Sequence, residues 1–160
     1  MVARASGQER AICSYLEGPL SLQVNAYEVM KLIGDEGARI FERISRYDDL
    51  LTLQGRAGYE PGDTLALIVP FLLVHDITEA DFRRVSARTK IVDGATTLFR
   101  QLQADSWEIY IISTSYEQPA HPIGRQLGVP DHIICTQLNL ENLLFALRRH
   151  IFNPRWQRRP

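Results

Sequence analysis

Glu17 stands where an apolar run, Ile12 to Leu16, meets Gly18-Pro19. A carboxylate delivered at the end of a buried strand can move a proton when a reacting group lies beside it. Without such a group it is an ordinary solvated or capping acid. Gly18 allows a turn that a side chain would obstruct, and Pro19 prevents the strand ladder from continuing. A second apolar run, Glu108 to Ile112, ends in Ser113-Thr114-Ser115. Hydroxyls there can hold a phosphoryl oxygen, and they can equally satisfy loop amides. Parallel sheets bind ligands at the carboxyl ends of their strands, which is where both groups fall.

The elements that must position these residues follow from the hydrophobic pattern. The first strand is predicted over Ala11 to Leu16. From Asn25 to Asp49 the period is helical, with Val29, Leu32 and Ile33 on one face, then Ile40, Phe41 and Ile44, broken by Gly34 and Gly37. A glycine-rich loop covers residues 54–63. Asp63 or Thr64 is placed to cap a helix from Leu65 to Val74 that Pro70 should kink. Thr78-Glu79-Ala80-Asp81 has capping-box spacing before Phe82 and Val85. Residues 22–88 therefore read as helical.

The strand–helix rhythm then resumes. Gly94 to Gln103 is a helix with Leu98, Phe99 and Leu102 inward, and Glu108 to Ile112 is a strand. Pro119 to Leu127 is a helix closed by Gly128, and His132 to Cys135 is a third strand. Asn139 caps a last helix, Leu140 to Phe152, with Leu143, Leu144, Leu147 and Ile151 on one side. This order predicts an α/β fold, a short parallel sheet with flanking helices. Residues 11–21 and 89–152 make the core, residues 22–88 an inserted helical cap, and residues 1–10 and 153–160 are loose termini.

Composition narrows the partners. The chain has 160 residues, 45% of them apolar, enough for one domain with a core. A net charge of −1 exerts no general pull on nucleic acid or anionic membrane. The Arg-rich tail, from Arg148-Arg149-His150 to Arg158-Arg159 with Trp156, reads as a solvated helix end rather than a nucleic-acid arm. Cys13 and Cys135 lie in apolar runs and read as buried reduced thiols of a cytoplasmic protein. No signal peptide opens the chain, and the longest apolar run, Leu65 to Val74, is too short to span a bilayer. His75 sits at a helix end, and His121 and His132 lack metal-ligand spacing with either Cys.

Taken together, the strand ending Tyr15-Leu16-Glu17-Gly18-Pro19, the helical insertion, Val92-Asp93-Gly94-Ala95 and the strand Ile109-Tyr110-Ile111-Ile112-Ser113 resemble the haloacid dehalogenase superfamily of phosphatases. The resemblance covers about residues 11–138. It implies that position 15 is the place of the carboxylate nucleophile and that Glu17 is the acid/base two residues on. It also implies that Ser113, Thr114 and the Gly18 turn hold phosphate, and that Mg²⁺ is the cofactor, Glu17 offering its main-chain oxygen. The chain departs from that pattern. Tyr15 is a phenol, mostly protonated at neutral pH and a poor ligand for a hard cation. No lysine follows Lys90, and Glu141 is the only acid after Asp131, so the later lysine and acidic motifs have no candidates.

The function that follows is a phosphatase-like protein, inactive or shortened as this chain. A non-catalytic module binding phosphate or a small phosphorylated metabolite through Ser113, Thr114 and Gly18 is the alternative. A third reading is an interaction protein acting through its basic tail. In the family the first strand is central. With the later strands absent it would be an edge, covered by the last helix or paired with a second copy in a homodimer.

Overall fold

The computed structural model describes residues 10–151, with side chains to residue 146. The expected loose termini lie outside these residues, except that Arg10 opens the first strand. So do the side chains of the basic tail and of Leu147 and Ile151.

Strands β1 (Arg10–Tyr15), β2 (Trp107–Tyr116) and β3 (Ile133–Thr136) form a parallel sheet in the order β1-β2-β3. Ile12 lies opposite Ile109, Tyr15 opposite Ile112, and Ile112 opposite Ile134. This is the short parallel sheet the apolar runs predict. Among the described residues no strand lies on the far side of β1. β2 is longer than the apolar run alone suggested. Ser113, Thr114 and Ser115 continue its pleat, with Ser113 and Ser115 buried and Thr114 exposed. The ladder to β3 shifts register between Ile112 and Tyr116.

Helices α5 (Ala95–Ala104) and α6 (Glu117–Leu127) complete the first core with Leu16, Phe99, Ile109, Ile111, Ile123 and Leu127. Ala95 and Phe99, one helical turn apart, take the inward face of α5 with Leu102 packed beside them. Leu98, expected inward, is 55% exposed because it sits a step around the helix. Strand alternation corrects the cysteines in the same way. Ile12 and Leu16 point to the core, whereas Cys13 shares the other face with Ala11 and Tyr15 and is exposed. Cys135 is half-buried, and burial together with Glu117 pushes its thiol pKa up.

Between β1 and α5 run α1 (Asn25–Met30), α2 (Asp35–Leu53), α3 (Val69–Val74) and α4 (Glu79–Ser86). Gly34, at φ +92°, ends the first expected helical stretch. Gly37 is not a break. It lies inside α2, where an added Cβ would fall 2.0 Å from the Met30 carbonyl oxygen. Pro70 does not kink a helix. Asp63–Ile68 is a 3-10 segment and α3 begins anew at Val69, with Pro70 in a first turn that needs no amide from it. Neither Asp63 nor Thr64 caps as expected. Gly62 takes that position, and the Thr64 hydroxyl turns to Asp48. The Thr78–Asp81 capping box is formed as its spacing predicts.

Val29, Met30, Ile68, Leu72 and Phe82 make a second core, joined by Tyr116 from the end of β2, whose ring meets Phe82 edge-on at 5.9 Å. The last helix, α7 (Leu140–Ile151), is capped by Asn139, whose Oδ1 accepts from the Asn142 amide at 2.9 Å. Leu140 is buried in the second core, while Leu143, expected inward, is 39% exposed.

One carboxylate organises the 54–62 loop. Asp48 on α2 accepts from the Tyr59 hydroxyl, from the Gly62 amide at 2.9 Å and from the Thr64 hydroxyl at 2.9 Å. Burial raises the Asp48 pKa, but these donors outweigh burial and leave it below the ordinary value. Three outcomes are expected. Gly37→Ala should lower stability by about 1–3 kcal/mol, read from the urea midpoint, because the Met30 backbone cannot give way. Gly55→Ala, with open space around it, should lose only what its left-handed φ of +58° costs an L-residue, about 1–2 kcal/mol. For Asp48→Asn the loss relative to wild type should be constant from pH 7 down to the ordinary pKa of 3.8. It should shrink as pH falls through the lowered folded-state value, where wild-type Asp48 also protonates. Urea titrations at stepped pH measure it.

Candidate functional site

The tip of β1 is a tight loop. The Leu16 amide extends the ladder to Ile112 O at 3.1 Å, and the chain then doubles back so that the Leu20 and Ser21 amides both reach Leu16 O. Gly18, at φ +95°, makes that reversal possible, and its amide donates to Ser21 O at 2.9 Å. Gly18 therefore serves the turn, with its amide engaged inside it.

This loop aims the half-buried Glu17 side chain across the strand ends. Its Oε2 accepts from the Ser113 hydroxyl at 2.9 Å and its Oε1 from Asn25 Nδ2 at 3.2 Å. Asn25, fully buried at the start of α1, accepts in turn from the Thr89 hydroxyl at 2.9 Å. Ser113 also receives the Ser115 amide at 3.0 Å. The structure thus brings together Glu17 and Ser113, two of the residues singled out in the sequence. Tyr15 does not join them. It lies on the opposite face of β1 and is 67% exposed.

A cavity of about 170 Å³ opens beside Glu17, between the end of β2 and α2. Thr114 and Ser115 form its floor, Phe41, Ile44 and Leu65 its apolar wall, and Asp48 and Thr64 lie in it as well. Gly62 closes over it. An added Cβ there would meet the Thr114 side chain at 2.8 Å, so the 54–62 loop touches the sheet where only hydrogen fits. On the other side of Thr114 a wider cleft of about 420 Å³ is lined by Ser113, Thr114, Ile112 and Ile134. Thr114 thus faces both spaces, with Glu17 in the first and Ser113 in the second. The Tyr116 hydroxyl, its pKa pushed up by burial, donates to Leu65 O at 2.6 Å and ties the wall to β2.

Asn25 and Asp48 also belong to this site, and the hydrophobic pattern did not single them out for chemistry; Ser115 belongs to it as one of the strand-end hydroxyls. A signal for Asp48 was present: it follows Phe41 and Ile44 at helical spacing and so lies on the apolar face of α2, where an acid needs partners. Asn25 carried no comparable mark. His121 and His132 lie elsewhere, His132 Nδ1 within 3.2 Å of Ile109 O and its ring stacked on Tyr110.

Mg²⁺ requires near-octahedral oxygen ligation with carboxylates among the ligands. Among the described residues no three His, Cys, Asp or Glu side chains converge on one point. The described side chains do not by themselves fit the ion.

No family model matches the chain, and no curated protein matches it. Solved structures do. A gene product of Archaeoglobus fulgidus superposes with a TM-score of 0.75 at 29% identity, covering 90% of this chain and 49% of its own. A phospho-aspartyl intermediate analogue of phosphoserine phosphatase aligns at TM-score 0.62 and 14% identity, over 82% of this chain and 56% of that one. A haloacid dehalogenase family hydrolase from Salmonella enterica serovar Typhi aligns at 0.64 and 11%, over 88% and 51%. The chain spans about half the length of these structures. At such identities the likeness concerns architecture, and with the β1-β2-β3 sheet and its flanking helices it identifies the chain as one with the haloacid dehalogenase-like fold.

Proposed function

We propose that this chain is a phosphatase-like protein of the haloacid dehalogenase type that binds a ligand at the carboxyl end of its sheet and does not itself hydrolyse phosphate monoesters. The observation that carries this reading is the separation of Tyr15 from Glu17. The acid/base position faces Ser113 and the cavity, while the nucleophile position holds a phenol on the opposite, exposed face of β1. A phenol is a weak nucleophile until a base takes its proton. Glu17 is moreover engaged by Ser113 and Asn25, so its present role is to join the strand tips to α1.

A second reading, a binding module for phosphate or a small phosphorylated metabolite, is favoured by Ser113 and Thr114 lining one cleft together. Titration calorimetry with inorganic phosphate, with and without Mg²⁺, tests it. Binding that Thr114→Val weakens supports this reading, and the absence of heat under both conditions rejects it.

For the main reading, the purified chain should release no phosphate from p-nitrophenyl phosphate in the presence of Mg²⁺. Steady release that Glu17→Gln abolishes would refute the proposal. Tyr15→Asp alone should leave turnover far below an ordinary enzyme rate of about 10 s⁻¹, because it restores a carboxylate without the charge stabilisation that dominates such reactions.

A further inference from the structure

We propose that the cavity between α2 and the end of β2 takes a small amine with a ring-sized apolar body, and turns away a phosphate group that arrives without a cation. This rests on the reading of the sheet's carboxyl end as a ligand site, and it goes beyond that reading in assigning the charge of the ligand.

Three features point the same way. The first is charge. Glu17 and Asp48 both line the cavity, and no Lys, Arg or His lines it. The ion pairs found among the described residues, Lys31–Glu28, Arg83–Glu79 and Arg84–Asp81, leave both carboxylates out. The donors around Asp48 hold its pKa below the ordinary value, so its charge persists at neutral pH. A bare phosphate would enter against two like charges, whereas an ammonium is attracted by both. The second feature is an unused polar atom. Ser115 lines the cavity, is 3% exposed, and its hydroxyl oxygen has no hydrogen-bond partner. A buried hydroxyl in a native fold is normally paired. An ammonium is a donor that can serve that oxygen. The third feature is shape. Val24, Phe41, Ile44 and Leu65 give the cavity an apolar side, and its volume of about 170 Å³ suits one ring. Apolar cavities of about 150 Å³ accept benzene.

Titration calorimetry of the full chain in Mg²⁺-free buffer, with benzylamine, benzyl alcohol and phenyl phosphate as probes, tests the proposal. Benzylamine should bind about tenfold or more tighter than benzyl alcohol, and phenyl phosphate should give no heat. Raising salt from about 0.05 to 0.5 M should weaken the amine and leave the alcohol unchanged. Ser115→Ala should weaken the amine. Ser45→Arg, on the exposed face of α2 at the cavity rim, should reverse the order, weakening benzylamine about tenfold and admitting phenyl phosphate. Thermal unfolding of each variant shows whether it remains folded, and the salt series on the wild-type chain needs no variant.

Equal affinity for benzylamine and benzyl alcohol would overturn the charge argument. Phenyl phosphate binding tighter than benzylamine would overturn the proposal while supporting a phosphate-binding module. No heat from any of the three probes would overturn the proposal and leave the absence of phosphatase turnover, read in a separate assay, standing.

Discussion

The shared carboxylate of Glu17 is the interaction on which the arrangement of the site depends. A half-buried acid is tolerated because Ser113 and Asn25 each donate to one of its oxygens, and those partners belong to different parts of the fold. Ser113 is in the sheet. Asn25 opens the helical segment and is itself held by Thr89, where the chain returns toward α5. Four polar side chains therefore fix where the helical segment leaves the sheet and where it comes back. Hydrogen bonds to a carboxylate are stronger than those between neutral groups. Removing one partner leaves the others buried without compensation.

Two apolar clusters meet around this network, and β2 belongs to both. Its first half supplies Ile109 and Ile111 to the cluster under α5 and α6. Its last residue, Tyr116, is buried in the cluster built by α1, α3 and α4. The cavity lies where the strand passes from one to the other, so its floor is sheet and its wall is helix. Asp48 and Gly62 hold the connecting loop over it, the first by charge and the second by lacking a side chain that Thr114 would exclude. The electrostatic character of the cavity follows from this construction. The acid that anchors the loop and the acid that ties the strand tips end up lining the same small space, with no cationic side chain among the residues that line it.

The same geometry accounts for the fate of position 15. A strand presents successive side chains to opposite faces, so Tyr15 and Leu16 diverge, and Glu17 follows only after the ladder has given way to the Gly18 turn. The face that Tyr15 occupies also carries Ile112 and Ile134, all exposed. Parallel sheets are ordinarily covered on both faces. Among the described residues the first cluster fills the face toward α5 and α6, and the chain spans about half the length of the structures it resembles.

Local features were legible in the sequence because they depend on neighbours along the chain. The three strand runs, the capping box at Thr78, the Asn139 cap and the closing Gly128 all appear where pattern and capping chemistry place them. Glu17 and Ser113 were recognisable because each follows an apolar run at a strand end. What tertiary structure alone decided was which side of each element faces inward, and which distant groups meet. Cys13 and Leu98 are apolar in the sequence and exposed in the fold, because strand alternation and the narrow contact arc of α5 favour Ile12 and Phe99 instead. Pro70 starts a helix rather than bending one, because the preceding segment tightens to 3-10 geometry. Asp48, Thr64 and Gly62 come from positions with no common motif, and the meeting of Thr64 and Gly62 at Asp48, with Gly62 against Thr114, depends on how α2 packs against the 3-10 segment. Spacing along a chain encodes contacts within an element; the meeting of Glu17, Asn25 and Thr89 across more than sixty residues follows only from how the folded chain closes on itself.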